Sequence, residues 1–315
     1  MAENKRFFYG WLILLTCILI MGLGYAPLVS CASLFTKPVT EDLGFTRSGY
    51  ALVSTIAALM MAFMSPFIGK IMSKPYMHKA LVVCMIGNCL AYYCYSFAST
   101  LPQFYVTAAC IGFFECGSTM IPVSVLITNW FRKKRGLVMS IAMVGSSIGG
   151  TILSPIIGNL IASQGWRFTY KAVGITRLVI LVPLVLLVIR RTPADMGTKA
   201  YGADEEGETG KARKTEREWN VSLKEVKKKP MFWCFVLGCT LISATAAVIT
   251  QIPASVMDAG YATTTAASIA SLYLFIAIPG KLVLGHIYDR YGVKSGILFG
   301  NTMFFLSVVC LIFIK

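Results

Sequence analysis

The chain has few of the groups that surface chemistry needs. Of 315 residues only two are histidine, His78 and His286, and 14 are acidic. No His, Cys, Asp and Glu cluster has metal-ligand spacing and no Walker-type glycine loop occurs, so neither a metal centre nor a nucleotide site is indicated. The ten cysteines contain no CxxC pair. Most of them, including Cys17, Cys84, Cys89, Cys110, Cys116, Cys234 and Cys310, fall inside apolar runs and read as small packing residues rather than disulfides. No enzyme activity and no cofactor is expected. The first apolar run is too long for a signal peptide and lacks a small-residue cleavage site, so it is expected to remain as a span.

What the chain does have is apolar length. It is 56% hydrophobic and 14% charged, with a mean hydropathy of +0.69, outside the range of soluble domains. Runs long enough to cross about 30 Å of hydrocarbon at about 1.5 Å per residue recur. They predict nine spans, at 11–33, 48–70, 79–98, 102–128, 136–162, 169–189, 231–256, 263–288 and 295–314. Without the two-residue alternation of a barrel, such runs satisfy their backbone in lipid only as helices. The expected fold is an all-α polytopic membrane protein in a lipid bilayer.

Basic residues set the expected orientation, because short loops rich in Lys and Arg stay on the cytoplasmic side. With the N-terminus inside, Lys5, Arg6, Lys70, Lys74, Lys79, Arg132, Lys133, Lys134, Arg135, Arg290, Lys294 and eleven more in 190–230 are cytoplasmic. Only Lys37, Arg47, Arg167 and Lys171 fall on outer loops. The formal net charge of +15 is thereby mostly a topology signal. No nucleic-acid partner is expected, since that needs the charge gathered on one soluble face.

A repeat organises the chain. A shift of 216 residues lays EDLGFTRSGYALV on MDAGYATTTAASI, matching Asp42 to Asp258, Gly44 to Gly260, Phe45 to Tyr261 and Gly69 to Gly285. The second span thus corresponds to the eighth. The expected domains are 1–190 with six spans, a cytoplasmic linker at 191–230, and an incomplete second half at 231–315 with three. The polar stretch YGADEEGETGKARKTE is expected to be mobile. Ser222 followed by Glu225 is a capping box, and with Trp219, Val221, Leu223 and Val226 it predicts a short interfacial helix before span seven.

Three charges lie inside spans. Lys281, in YLFIAIPGKLVLGHIYDRYG, costs roughly 2.5 to 3.5 kcal/mol at membrane depth and marks a binding site or ion path, unless it snorkels to the interface. Tyr273, Ala277 and Gly285 share its helical face at spacings of four. Glu115, with Gly112, Thr119 and Pro122 on its face, reads in three ways: a proton-coupling carboxylate, a charge partner of Lys281, or a protonated bystander. Arg177 is expected to be structural and to snorkel outward. Tyr25, Pro27, Gln251 and Ser255 are further cavity candidates. Gly145, Gly149, Gly150 and Pro155 let neighbouring helices approach and bend. Arg132 to Arg135 suit either a cytoplasmic anchor or acidic lipid headgroups.

The motif GHIYDRYGVK, with Gly285, Asp289, Arg290, Gly292 and Lys294, resembles the loop signature of the major facilitator superfamily, as Gly69 does more weakly in the first half. NWFRKKRGLVMSIAMVGSSIGG at 129–150, supported by FYGW, GWRFTY and RRTPADMG, is similar to the branch of oxalate/formate antiporters and monocarboxylate transporters. In the first loop Ser73 stands where that family has aspartate. The resemblance implies two six-helix halves of which this chain carries about nine helices, so it reads as a fragment or truncated product. It also implies a basic residue, usually arginine, four positions before the loop glycine, where Lys281 stands; a point-like ammonium replaces a planar fork.

The expected function is alternating-access transport of a small organic anion, monocarboxylate or oxalate/formate-like, as antiporter or symporter, in a multi-pass plasma-membrane protein. Lys281, Tyr273, Tyr25 and Gln251 would bind it, while Glu115 would couple a proton or counter-anion or compensate charge. Two rivals stay open: a drug or cation exporter with Glu115 as ligand, and a non-transporting sensor or remnant.

Overall fold

A computed structural model describes residues 8–202 and 223–313, and these are almost entirely helical. An isolated bridge between Phe131 and Tyr201 is the one β pairing among them. The first apolar run forms α1 (Gly10–Leu19), a π-helical turn (Ile20–Tyr25) and α2 (Ala26–Val29). A 3₁₀ turn and α3 (Thr36–Leu43) follow, closed by Gly44 in the left-handed region. Then come α4 (Arg47–Met72), α5 (Met77–Cys94), α6 (Leu101–Ser118), α7 (Met120–Trp130) and the 54-residue α8 (Arg135–Val188). Beyond the undescribed stretch lie α9 (Leu223–Val226), α10 (Pro230–Thr250), α11 (Ile252–Asp258) and α12 (Thr263–Phe313).

Local sequence explains where these helices start and turn. Thr46 caps α4 by accepting from the Gly49 N–H at 3.2 Å. Gly165 (φ 80°, ψ 166°) and Gly292 (φ 82°, ψ 176°) occupy a region open essentially to glycine alone. Each reverses the chain inside what is otherwise continuous helix, so α8 and α12 are each two rods joined at one residue. Six helical stretches are long and apolar enough to cross a membrane, two of them containing these reversals. The all-α membrane architecture expected from the sequence is therefore present.

Two boundaries differ from the expected spans. The fourth does not run unbroken, because Thr119 leaves helical geometry (φ −124°, ψ −94°) between α6 and α7. Pro122 lacks the N–H that would bond back toward Ser118 and so supports the break. The π turn in the first span precedes Pro27 in the same manner. Of the expected interfacial helix only Leu223–Val226 is described. Trp219, Val221 and Ser222, like most of the polar stretch, lie outside the described residues.

The core divides by level. Toward the end that carries Arg132–Arg135, called here the basic end, aliphatic and sulfur side chains such as Ile13, Cys17, Met72, Met77, Leu126 and Leu181 pack with Trp130. Toward the opposite end the filling is aromatic, with Phe35 stacked on Tyr170 at 4.1 Å and Tyr50, Tyr92, Tyr95, Phe104 and Trp166 around them. Outward faces stay apolar, as with Leu59, Phe63 and Phe67 on α4, which fits lipid as their surroundings. Cys17, Cys84, Cys89 and Cys116 are buried packing residues, but Cys110 and Cys234 point outward on their helices and do not belong to the core.

Small residues bring α8 close to its neighbours. A Cβ on Gly145 would sit 2.3 Å from the Ile18 carbonyl oxygen, and one on Gly149 would sit 2.2 Å from that of Gly22. Only glycine permits that approach, by which helices in lipid gain packing without a hydrophobic drive. On its other side α8 meets α12 along a seam. Ser271 Oγ donates to the Thr151 carbonyl at 2.7 Å, and Gly285 fits against Ser140 and Gly136.

Candidate substrate site

Lys281 lies on this seam, half-buried, and its ammonium crosses from α12 to α8. It donates to Ser146 Oγ at 2.9 Å and to the Met143 carbonyl at 3.1 Å. Both acceptors are neutral. Among the described residues no carboxylate lies within ion-pair distance of Lys281, the two ion pairs being Lys37–Glu41 and Arg47–Asp258. Tyr273 is half-buried two helical turns earlier on α12, and Ala277 is half-buried between them. Tyr25, half-buried, closes the π turn, while Gln251 is exposed at the break between α10 and α11.

Glu115 belongs to a different constellation. Only 5% exposed, its carboxylate accepts from Asn88 Nδ2 at 2.8 Å and from Thr119 Oγ1 at 2.9 Å. Asn88 is held in that orientation by its own carbonyl oxygen, which accepts from Arg177 Nη2. Arg177 also donates to the Gly24 carbonyl at 2.8 Å and lies against the Tyr92 ring at 5.0 Å. Its Nε and Nη1 have no hydrogen-bond partner among the described residues, so the ring face carries part of the charge stabilisation.

One expectation is corrected here, and one of the three readings of Glu115 is not met. Arg177 does not snorkel: it is 1% exposed and central to a polar network that joins α5, α6, α8 and the π turn. Its Nη2 is held inward by the Gly24 and Asn88 carbonyls and its face by the Tyr92 ring. Glu115 is also not the partner of Lys281 in this conformation, because Asn88 and Thr119 occupy its oxygens and Ser146 occupies the ammonium. Asn88 and Ser146 are site residues that the sequence pattern does not single out. An amide in an otherwise apolar stretch, VVCMIGNCLAYY, was the available signal for Asn88.

The loop-motif residues act at the basic end. Asp289 accepts from the Gly136 N–H at 3.0 Å and the Leu137 N–H at 2.7 Å, thereby satisfying the free first-turn donors of α8 and meeting the positive end of its dipole. Gly292 makes the reversal, Arg290 lies over Tyr291, and Lys294 is exposed. Gly69 is unlike its repeat counterpart Gly285, since a Cβ there would meet nothing within 4 Å. At the opposite end Arg47 grips Asp258 with both guanidinium nitrogens, and Lys37 Nζ donates to the Met257 carbonyl at 2.8 Å. The repeat partner of Asp258, Asp42, instead accepts from Trp166 Nε1 at 3.0 Å. No cluster of three or more His, Cys, Asp or Glu able to hold a metal occurs among the described residues.

The residues so far describe a helical membrane bundle with a half-buried cation on an inter-helix seam and a loop aspartate capping a neighbouring helix. The chain belongs to the Major Facilitator Superfamily, whose profile it matches over residues 12–315. It is 26% identical over 66% of its length to the MFS-type transporter pytF of Aspergillus terreus, of which it covers 62%. It is 24% identical over 71% of its length to human monocarboxylate transporter 2, of which it covers 45%. The chain thus spans about half the length of the curated relatives it matches. In fold it is similar to a bacterial homologue of the human lysosomal transporter Spinster in an inward-facing, unoccupied conformation. That match has a TM-score of 0.67 at 18% identity and covers 92% of this chain and 64% of the other.

Proposed function

We propose that the protein takes part in alternating-access transport of a small organic anion, with Lys281 as the residue that receives the carboxylate. The observation that carries this reading is the ammonium of Lys281, bonded among the described residues only to Ser146 Oγ and the Met143 carbonyl. A charge at membrane depth whose only acceptors are neutral is incompletely compensated, and an anionic ligand would complete it. The name of the human relative, a monocarboxylate transporter, agrees with that charge. Tyr273 on the same helix and Tyr25 at the π turn are the proposed neighbours of the ligand, and Gln251, being exposed, is a weaker one. The exporter alternative, with Glu115 as the ligand of a cation, is disfavoured because both carboxylate oxygens already accept hydrogen bonds in a closed network.

Glu115 is proposed as the coupling group. In proteoliposomes containing the chain, labelled lactate, pyruvate, formate or oxalate is expected to exchange against the same anion inside. Glu115→Gln is expected to keep that exchange yet lose accumulation driven by a pH gradient, because exchange needs no change of protonation whereas net symport does. Wild-type behaviour of Glu115→Gln in both assays removes it from the coupling. Absence of exchange in the unaltered chain removes the transport reading.

The proposed location is the plasma membrane with the basic end in the cytoplasm, since positive loops gather there. Single cysteines introduced at 97–103 or 257–263 are then expected to react with an impermeant maleimide in sealed cells. Cysteines at 195–202 should react only after permeabilisation, and the reverse pattern inverts the orientation.

A further inference from the structure

The buried network around Glu115 fixes its donors and acceptors atom by atom, starting from Arg177. A guanidinium only donates, so the Asn88 atom that meets Arg177 Nη2 is the amide oxygen. That contact removes the usual ambiguity of an amide, because turning it over would set two donors against each other. Asn88 Nδ2 therefore points at Glu115, where it donates to Oε2 at 2.8 Å. An amide nitrogen offers no lone pair. Oε2 is consequently an acceptor whatever the charge on the carboxyl: a proton there would set donor against donor at Asn88 or, with the amide turned over, at Arg177.

The other carboxyl oxygen has a neighbour of a different kind. Thr119 Oγ1 lies 2.9 Å from Glu115 Oε1 and 3.1 Å from the Glu115 main-chain carbonyl oxygen, and its one hydrogen serves one of them at a time. A hydroxyl also accepts. With the carboxyl ionised, Thr119 donates to Oε1; with a proton on Oε1, the hydroxyl turns its hydrogen to the main-chain carbonyl and accepts from Oε1–H. That carbonyl also takes the Thr119 N–H at 3.2 Å and Ser118 Oγ at 3.3 Å. It has two lone pairs, so Thr119 then takes the place of the longer Ser118 contact. The turn of one hydroxyl keeps both carboxyl oxygens bonded in both states. Thr119 is placed for it at the break between α6 and α7, with its methyl against Gly24, 3.4 Å from where a Cβ on that glycine would sit.

We propose, resting on the reading of Glu115 as the coupling group, that Thr119 is the positioning residue for its proton, which is carried on Oε1 while Asn88, oriented by Arg177, keeps Oε2 as an acceptor. The step is a protonation and nothing more: a proton from the aqueous phase bonds to Oε1, the carboxylate charge is cancelled, and release reverses it. The titratable groups facing Glu115 are Arg177 from α8, Tyr25 from the first span, Cys89 from α5 and Cys116 from its own helix. The charges of α4, Arg47 and Lys70, stand near its two ends, and α7 has no titratable side chain. Arg177 keeps its charge throughout. The pair with Glu115 thus alternates between neutral and singly positive. If Thr119 merely filled the helix break, a residue of the same shape would serve as well.

The test uses the purified full chain in liposomes and two measurements. Anion-for-anion exchange is compared with accumulation driven by a pH gradient. Infrared difference spectra between acid and alkaline pH follow the protonated carboxyl band of Glu115, recognised by its absence in Glu115→Gln. Thr119→Val, which keeps the shape and loses the hydroxyl, is expected to retain exchange and to lose roughly tenfold or more in pH-driven accumulation. Thr119→Ser should keep both. With the proton on Oε1 the carbonyl of the acid is Oε2, so Asn88→Leu, which removes the donor to it, should move the band to higher frequency, and further than Thr119→Val does. The reverse order places the proton on Oε2 and overturns the proposal, as does wild-type accumulation by Thr119→Val. If Thr119→Val does not fold, the band in Asn88→Leu decides: movement to higher frequency supports Oε1, and an unmoved band overturns it. The coupling reading fails separately, when Glu115→Gln accumulates anion normally; the band shifts then still decide which oxygen takes the proton. No Glu115 carboxyl band at any pH overturns both.

Discussion

Lys281→Ala is expected to abolish saturable uptake of the transported anion, while Lys281→Arg keeps uptake but changes the order of preference among anions. The alanine removes the ammonium that α12 places on the seam and leaves Ser146 Oγ and the Met143 carbonyl, neither of which can neutralise a carboxylate. A buried ionic ligand deprived of its partner loses several kcal/mol, which no accessible concentration restores. Arginine preserves the charge but replaces a compact ammonium with a planar fork, so flat dicarboxylates gain relative to small monocarboxylates. Lys281→Glu should be inactive at every substrate concentration, because it sets two anions against one another. Uptake in proteoliposomes measures all three. A second readout, ligand-dependent thermal stabilisation, should fall from about 2.7 kcal/mol at a hundredfold excess over Kd to nothing in Lys281→Ala. Normal uptake by Lys281→Ala assigns the lysine to the interface instead.

Arg177→Met should destabilise the bundle by roughly 3 to 5 kcal/mol, the cost of leaving one member of a buried charged network unmatched. The substitution takes the donor from Asn88 and Gly24 together and leaves the Glu115 carboxylate with no compensating charge nearby. Removing both charges, as Arg177→Met with Glu115→Gln, should recover much of that loss, since the penalty comes from imbalance rather than from the missing contacts. Asn88→Ala is expected to cost less, about 1 to 2 kcal/mol, within the range of neutral hydrogen bonds between membrane helices. Thermal unfolding in one detergent gives the three values. Equal losses for Arg177→Met, the double variant and Asn88→Ala would mean that packing around Tyr92, not charge, is what Arg177 provides.

Fold class was legible because the dominant constraint, apolar length against bilayer thickness, is written residue by residue. The reversals at Gly165 and Gly292 were legible too, as loop glycines between long apolar runs. Lys281 stood out because a lone cation in lipid has no inexpensive explanation. Arg177 stood out as a charge inside a span too, but not the inward course of its side chain, which depends on acceptors contributed by other helices. The Gly24 carbonyl is exposed to it only by the altered winding of Ile20–Tyr25, and the Asn88 amide only by a side-chain orientation that Glu115 also fixes. Sequence spacing along one helix carries no trace of either. The break at Thr119 was half-visible: Pro122 announced a disturbance but not its position one turn earlier, where the threonine hydroxyl bonds back to Glu115.

The π turn of the first span has one further consequence. A turn closed by i→i+5 bonds holds one residue more than the α turn it replaces, so helix 1 stores a spare residue between Leu19 and Ala26. Passing that residue along the helix advances the intervening segment by about 1.5 Å and rotates it by about 100° without unfolding anything. Gly22, lodged against Gly149 of α8, and Gly24, gripped by Arg177, sit inside the stored turn. The guanidinium, bonded to the Gly24 carbonyl, ties that stored residue to α8 in the register seen here.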